Sequence, residues 1–171
     1  GMHVHMSLFD FDGSNVFFDP DDPQGYHLSA TAKSFLAGIL KYAPEFALIT
    51  NPCVNSYKRL LAGGEAPIYL SWARANRSTL VRSPDPSANP YLTFAVMLAA
   101  GLAGIEEGLE PPVPVEDRDL FTQSRQELLR QGFRTLPESL GQAVELFRRS
   151  KLMRETLGDH ICDYLVEAKQ A

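Results

Sequence analysis

The spacing of apolar residues along the 171-residue chain changes several times, and each change marks an element. From His3 to Phe9 the sequence HVHMSLF alternates polar and apolar side chains, the period of a strand with one wet face. A strand is predicted over residues 4–9, with His3, His5 and Ser7 sharing its polar side. Residues 10–25 are rich in Asp, Pro and Gly. Their Asp10, Asp12, Asp19, Asp21 and Asp22 suggest a calcium loop at first sight, but the closing glutamate is absent and a solvated hairpin is the better reading. Ser29 is placed to cap a helix in which Ala32, Phe35, Leu36, Ile39 and Leu40 recur at helical spacing to about Tyr42. Pro44 is expected to interrupt that helix.

Short strands are predicted over residues 68–71 and 78–82. A long helix comes next, from Ser87 to about Glu107, with Pro90 near its start, where the missing N–H costs little. Its YLTFAVMLAAGLAGI run is apolar on most sides and is expected to be the most buried helix of the fold. Ala99, Ala100, Gly101, Ala103 and Gly104 leave room for a close neighbour. Pro111-Pro112-Val113-Pro114 marks a stiff connection. Two further helices are predicted over residues 137–149 and 151–169, with apolar faces set by Leu140, Val144 and Phe147, then by Ile161, Leu165 and Ala168.

Composition narrows the functional classes. At 44% hydrophobic residues the chain buries one sizeable core, and no repeat or low-complexity segment divides it. A net charge of -5 argues against a nucleic-acid partner. The longest apolar run is short of the roughly 20 residues a bilayer requires, so no membrane span is expected. Cys53 and Cys162 have no paired or zinc-like spacing, which suits a reducing cytoplasm.

Within this acidic chain, Arg59, Arg74, Arg77 and Arg82 fall in one 32-residue stretch, Asn51 to Arg82. Arginine donates two parallel hydrogen bonds to an oxyanion and stays charged near neutral pH, so a phosphate or carboxylate ligand is one reading of the cluster. A salt-bridged surface is the other. The H-x-H pair is open in the same way, between a cation or phosphate site and ordinary strand histidines.

The segments GMHVHMSLF, NSYKRL, GGEAP, ARANRS and SPDPSANPYL, in this order, resemble the catalytic region of the glutamine synthetase family. The closing LPESLGQAVELF and LGDHICDYLVEAK extend the resemblance over nearly the whole chain, nearest to the prokaryotic type I branch and its relatives that ligate glutamate to other amines. The resemblance implies an α+β fold, predominantly an antiparallel sheet with helices packed on one face. It also implies that residues 1–171 are a partial catalytic domain, without the N-terminal domain and the upstream strands.

By the same resemblance, His3 binds one divalent ion, His5 and Ser7 lie beside the nucleotide, and Arg59 grips the glutamate carboxylate. Glu65 sits on a flap hinged at Gly63-Gly64 and helps take a proton from ammonium, and Arg77 and Arg82 face the transferring phosphate. The implied reaction joins glutamate to ammonia or another amine through a γ-glutamyl phosphate, with ATP and Mg2+ or Mn2+ in the complete enzyme. Family members carry about a dozen or more residues between the arginine after N-R-S and S-P-D-P, about a loop plus one strand. Here Arg82 runs straight into Ser83, so Arg82 represents either the arginine before the gap or the one after it. With most carboxylate ligands lying upstream in the family, the isolated chain is expected to be inactive, to hold no cofactor tightly and to form at most a small homo-oligomer, not the family's ring. A non-catalytic pseudoenzyme or interaction module that keeps the oxyanion-binding arginines is the alternative. Asp119-Leu120-Phe121 stands where type I enzymes carry N-L-Y, so a modification that needs the tyrosine hydroxyl has no acceptor there.

Overall fold

The computed structural model describes residues 4–60, 68–74, 76, 79, 87–117 and 119–170. They form seven helices: α1 Ala30–Thr50, α2 Val54–Arg59, α3 Pro90–Glu106, α4 Arg125–Arg130, α5 Leu140–Arg149, α6 Lys151–Leu157 and α7 Asp159–Gln170. A single 3-10 turn, Leu120–Thr122, precedes α4. The α1–α3 pair is the centre of the fold, with α5 on α1 and α6 on α3.

Among the described residues the expected antiparallel sheet is not formed. Among the described residues only three isolated antiparallel bridges occur, Phe9 with Asn15, Phe18 with Leu28 and Tyr69 with Thr135. The predicted alternation over residues 4–9 is real: His5 and Ser7 are exposed while Val4, Met6 and Leu8 are half-buried. A strand, however, is stabilised by a neighbour that takes its N–H and C=O groups, and this segment is paired only at its end, where the Val16 amide donates to the Leu8 carbonyl at 3.0 Å. Likewise, residues 68–71 are extended and meet the 134–136 segment through Leu70 N–H to Arg134 O and Leu136 N–H to Ile68 O, each 2.8 Å, without growing into a ladder. The strand expected over residues 78–82 lies almost wholly outside the described residues.

Ser29 caps α1 as its position predicts, its Oγ accepting from Ala32 N–H at 3.1 Å and donating to the Val16 carbonyl at 2.6 Å. The helix does not stop at Pro44. It continues through it to Thr50. An interior proline costs about 3 kcal/mol. Phe46, Leu48 and Ile49 beyond it are each no more than 5% exposed, and burial of such side chains contributes roughly 1.5–3 kcal/mol apiece, so packing outweighs the lost hydrogen bond.

α3 starts at Pro90, three residues after the predicted Ser87, with the Asn89 carboxamide accepting from Tyr91 and Leu92 N–H. It is not the most buried helix; α1 is. On α3 only Thr93, Val96, Ala100, Gly101 and Gly104 are buried, while Tyr91, Phe94, Leu98 and Leu102 are exposed. The small residues act as expected: a Cβ on Gly104 would lie 2.2 Å from the Ser34 carbonyl oxygen, and one on Gly38 would lie 2.2 Å from that of Ala100. Backbone therefore meets backbone at this crossing.

The predicted last helix is two helices. Gly158 adopts φ +79°, a conformation costly for any residue with a Cβ, and breaks α6 from α7. In residues 159–170 Cys162 and Val166 are buried where Ile161 and Ala168 were expected, and Leu165 alone of the predicted face is partly covered. In the Asp-rich loop the aspartates serve as local acceptors, Asp10 for the Asp12 and Ser14 amides and Asp19 for that of Asp21. Asp22 departs from the solvated hairpin: its side chain is fully covered, bonds Lys33 Nζ at 2.7 Å and accepts from the Gln24, Tyr26 and Leu28 amides. Those contacts pull its pKa from 3.8 to about 2, the Lys33 hydrogen bond being the largest cause.

Candidate substrate and nucleotide site

Three of the seven residues singled out from the sequence lie among the described residues: His5, Ser7 and Arg59. His3, Glu65, Arg77 and Arg82 lie outside them, as do Gly63 and Gly64.

Arg59 ends α2, a helix that periodicity did not reveal because it is only six residues long. Within its N-S-Y-K-R run, Ser56 and Tyr57 are buried and Lys58 and Arg59 face solvent. Tyr57 is 4% exposed and anchors the helix in the core, with its hydroxyl 3.5 Å from the Ala47 carbonyl at the end of α1. Burial pushes its phenol well above the ordinary value. The guanidinium of Arg59 donates from Nη2 to Asn51 Oδ1 at 3.4 Å. Asn51 is itself buried, and its Nδ2 donates to Thr50 Oγ1 at 3.1 Å. The end of the central helix thus holds the arginine through one carboxamide, and the cation sits at the negative end of the α2 dipole. Sequence reasoning missed Asn51; the available signal was a carboxamide immediately after the last apolar residues of a helix and eight positions before the arginine.

His5 and Ser7 expose their side chains on one side of the extended segment. On the other, Val4 and Met6 line an apolar cavity of about 360 Å3 with Phe17, Phe35 and Met97. Trp72 and Arg74 also line it. The Trp72 region is laced to the proline-rich connection: Trp72 Nε1 donates to Pro112 O at 2.6 Å, Arg74 N–H to Glu116 Oε1 at 2.7 Å and Asn76 Nδ2 to Val115 O at 2.7 Å. Trp72, Arg74 and Asn76 are thereby tied to residues 112–116.

Among the described residues no three His, Cys, Asp or Glu side chains come together as a cation site. No helix among them is long and apolar enough to cross a membrane. Cys53 is exposed and Cys162 buried, both as free thiols.

The sequence model of the glutamine synthetase catalytic domain matches residues 1–171. The chain belongs to the glutamine synthetase family. It is 48% identical to a glutamine synthetase of Mycolicibacterium smegmatis and 47% identical to one of Thermotoga maritima, in each case over 99% of this chain and 41% of the relative. The chain therefore spans about two fifths of the length of these glutamine synthetases. Among solved structures, a GmaS–ADP complex matches with a TM-score of 0.83 at 30% identity, covering 98% of this chain and 41% of that one. An apo GmaS structure matches with a TM-score of 0.79 at 31% identity.

Proposed function

We infer that this glutamine synthetase family chain carries part of the active site of an ATP-dependent ligase that joins glutamate to ammonia or another amine. The observation that carries the reading is the N-S-Y-K-R arginine: in a chain matched end to end by the family, Arg59 projects from a buried anchor and is oriented by a buried carboxamide. Such a placement suits a guanidinium that holds the glutamate carboxylate through a two-pronged hydrogen bond. His5 and Ser7 present polar atoms on the wet side of the extended segment, where a nucleotide would lie. Glu65, Arg77 and Arg82 are assigned to the flap proton acceptor and to the transferring phosphate, and His3 to the metal.

ATP with Mg2+ or Mn2+ supplies the activated phosphate for a γ-glutamyl phosphate and the neutralising charge that attack of one anion on another needs. The arginines add to that neutralisation and exclude water when covered. The match to the M. smegmatis enzyme runs over 187 positions against the 171 residues of this chain. A shortening of that size supports the reading that a loop and strand are missing between Arg82 and Ser83. Without them, and without further acidic ligands, the chain by itself binds without turning over.

The experiment is a coupled assay of ATP-dependent glutamine formation on the purified chain, paired with calorimetry for ATP and for glutamate. Binding of glutamate that is lost in Arg59→Ala, without turnover, is the expected result. Turnover above background overturns the inactivity, and the absence of any ligand heat leaves a purely structural module instead.

A further inference from the structure

We propose that Thr50 and Asn51 are positioning residues, a relay that carries the direction of α1 into the guanidinium of Arg59 and aims it at its carboxylate ligand. The ligand's identity rests on the reading of Arg59 as the group that holds glutamate. The first link is Thr50, the last residue of α1, whose Oγ1 donates to the carbonyls of Phe46 and Ala47 at 3.5 and 3.4 Å. With its one hydrogen shared between these carbonyls, that oxygen offers Asn51 a lone pair and nothing to donate. Asn51 Nδ2 meets it at 3.1 Å. The carboxamide is thereby turned one way round, with Nδ2 on Thr50 and Oδ1 towards Arg59, whose guanidinium donates and never accepts. A reversed amide would set N–H against N–H at Arg59 and oxygen against oxygen at Thr50.

Ending the helix does not require these side chains. The C-cap uses the Asn51 backbone, whose N–H donates to Ala47 O at 2.8 Å, and any residue but proline supplies that group. Thr50 and Asn51 are 6% and 4% exposed, whereas Arg59 at the far end faces solvent. Burying a hydroxyl and a carboxamide side by side costs free energy unless their polar atoms are paired. Here the pairing leads outward, from the last carbonyls of the central helix to a cation at the surface. Both links before the arginine are neutral, so the relay orients the guanidinium without adding a countercharge of its own.

The test makes two measurements on the full chain: glutamate affinity by calorimetry, and restraint of the Arg59 guanidinium by nitrogen NMR of its Nε–H, assigned through Arg59→Lys. Asn51→Ala is expected to free the guanidinium and to weaken glutamate binding by about tenfold, the worth of a hydrogen bond to a charged group. Thr50→Val keeps the shape and removes the hydroxyl; it is expected to weaken binding by about threefold, and Thr50→Ser to restore wild-type behaviour. The double variant loses no more than Asn51→Ala alone, because the two residues act in series. Val166→Ala truncates a buried side chain on α7, lowers the Tm through a cavity and leaves both readouts at wild type, which separates positioning from plain stability. An Arg59 guanidinium equally restrained in wild type and Thr50→Val, losses that add in full in the double variant, or an equal loss in Val166→Ala each overturn the proposal. If wild type gives no glutamate heat while its Arg59 is restrained and Thr50→Val frees it, the glutamate reading falls and the relay stands.

Discussion

Replacing Gly104 by alanine tests the central helix crossing most directly. In an ordinary helix the change stabilises by roughly 1 kcal/mol, because glycine is the more costly residue there. Here the new Cβ would stand 2.2 Å from the Ser34 carbonyl oxygen and 2.6 Å from Gly38 Cα, both backbone atoms that cannot rotate away. Ordinary contact begins near 3.4 Å, so α1 and α3 must separate by about an ångström along a line that also packs Phe35, Val96 and Ala100. Overpacking of this kind costs roughly 1–3 kcal/mol, occasionally more. The larger values win over the propensity gain, and a net loss of about 1–2 kcal/mol is expected. Urea unfolding monitored by circular dichroism reads it, with Gly141→Ala as the internal control. Gly141 lies in α5 with its nearest neighbour, Ser139 Oγ, at 4.0 Å, so that variant should gain stability. The two substitutions therefore have opposite signs. A Gly104→Ala midpoint at or above wild type refutes the close crossing. Gly38→Ala probes the same contact, and the double variant should lose less than the two single losses added together.

The same geometry sets other outcomes. The Asp22 carboxyl has its pKa depressed from 3.8 to about 2 in the folded chain, so the stability it provides is complete above about pH 4 and is lost as pH falls through 4 towards 2; urea midpoints across that range should show the loss in wild type and a flatter profile in Asp22→Asn. Tyr57→Phe should be nearly neutral, because the hydroxyl contact is at the 3.5 Å limit, whereas Tyr57→Ala should cost about 3–5 kcal/mol in a denaturant melt and loosen Arg59 with it. Gly158→Ala forces a Cβ onto φ +79° and should lower stability by about 1 kcal/mol, read as a fall in Tm. Glu107→Gln, which removes the partner of Lys41 and Tyr42 at a half-exposed site, should change stability by less than about 1 kcal/mol in the same melt.

Family membership, the start of α1 and the alternating face of residues 4–8 were legible in the residues themselves. Each is a local property: Ser29 caps because a short polar side chain reaches an amide three residues on, and Pro90 suits a first turn wherever it occurs. Arg59 was identifiable for the same reason, as one word of a motif. What holds it, Asn51, was not, because a hydrogen bond across eight residues depends on how α2 folds back on the end of α1.

Neighbours along the chain were enough to set where helices begin, which residues are apolar and which family the chain resembles. Packing between distant segments was needed to carry α1 through Pro44, to choose which side of α7 is buried, to cover Asp22 and to leave Tyr91, Phe94, Leu98 and Leu102 of α3 in solvent. It also decided against the sheet. Strand pairing and burial are satisfied only by segments distant in sequence, and an alternating pattern specifies a strand's faces without supplying the neighbour that its backbone requires.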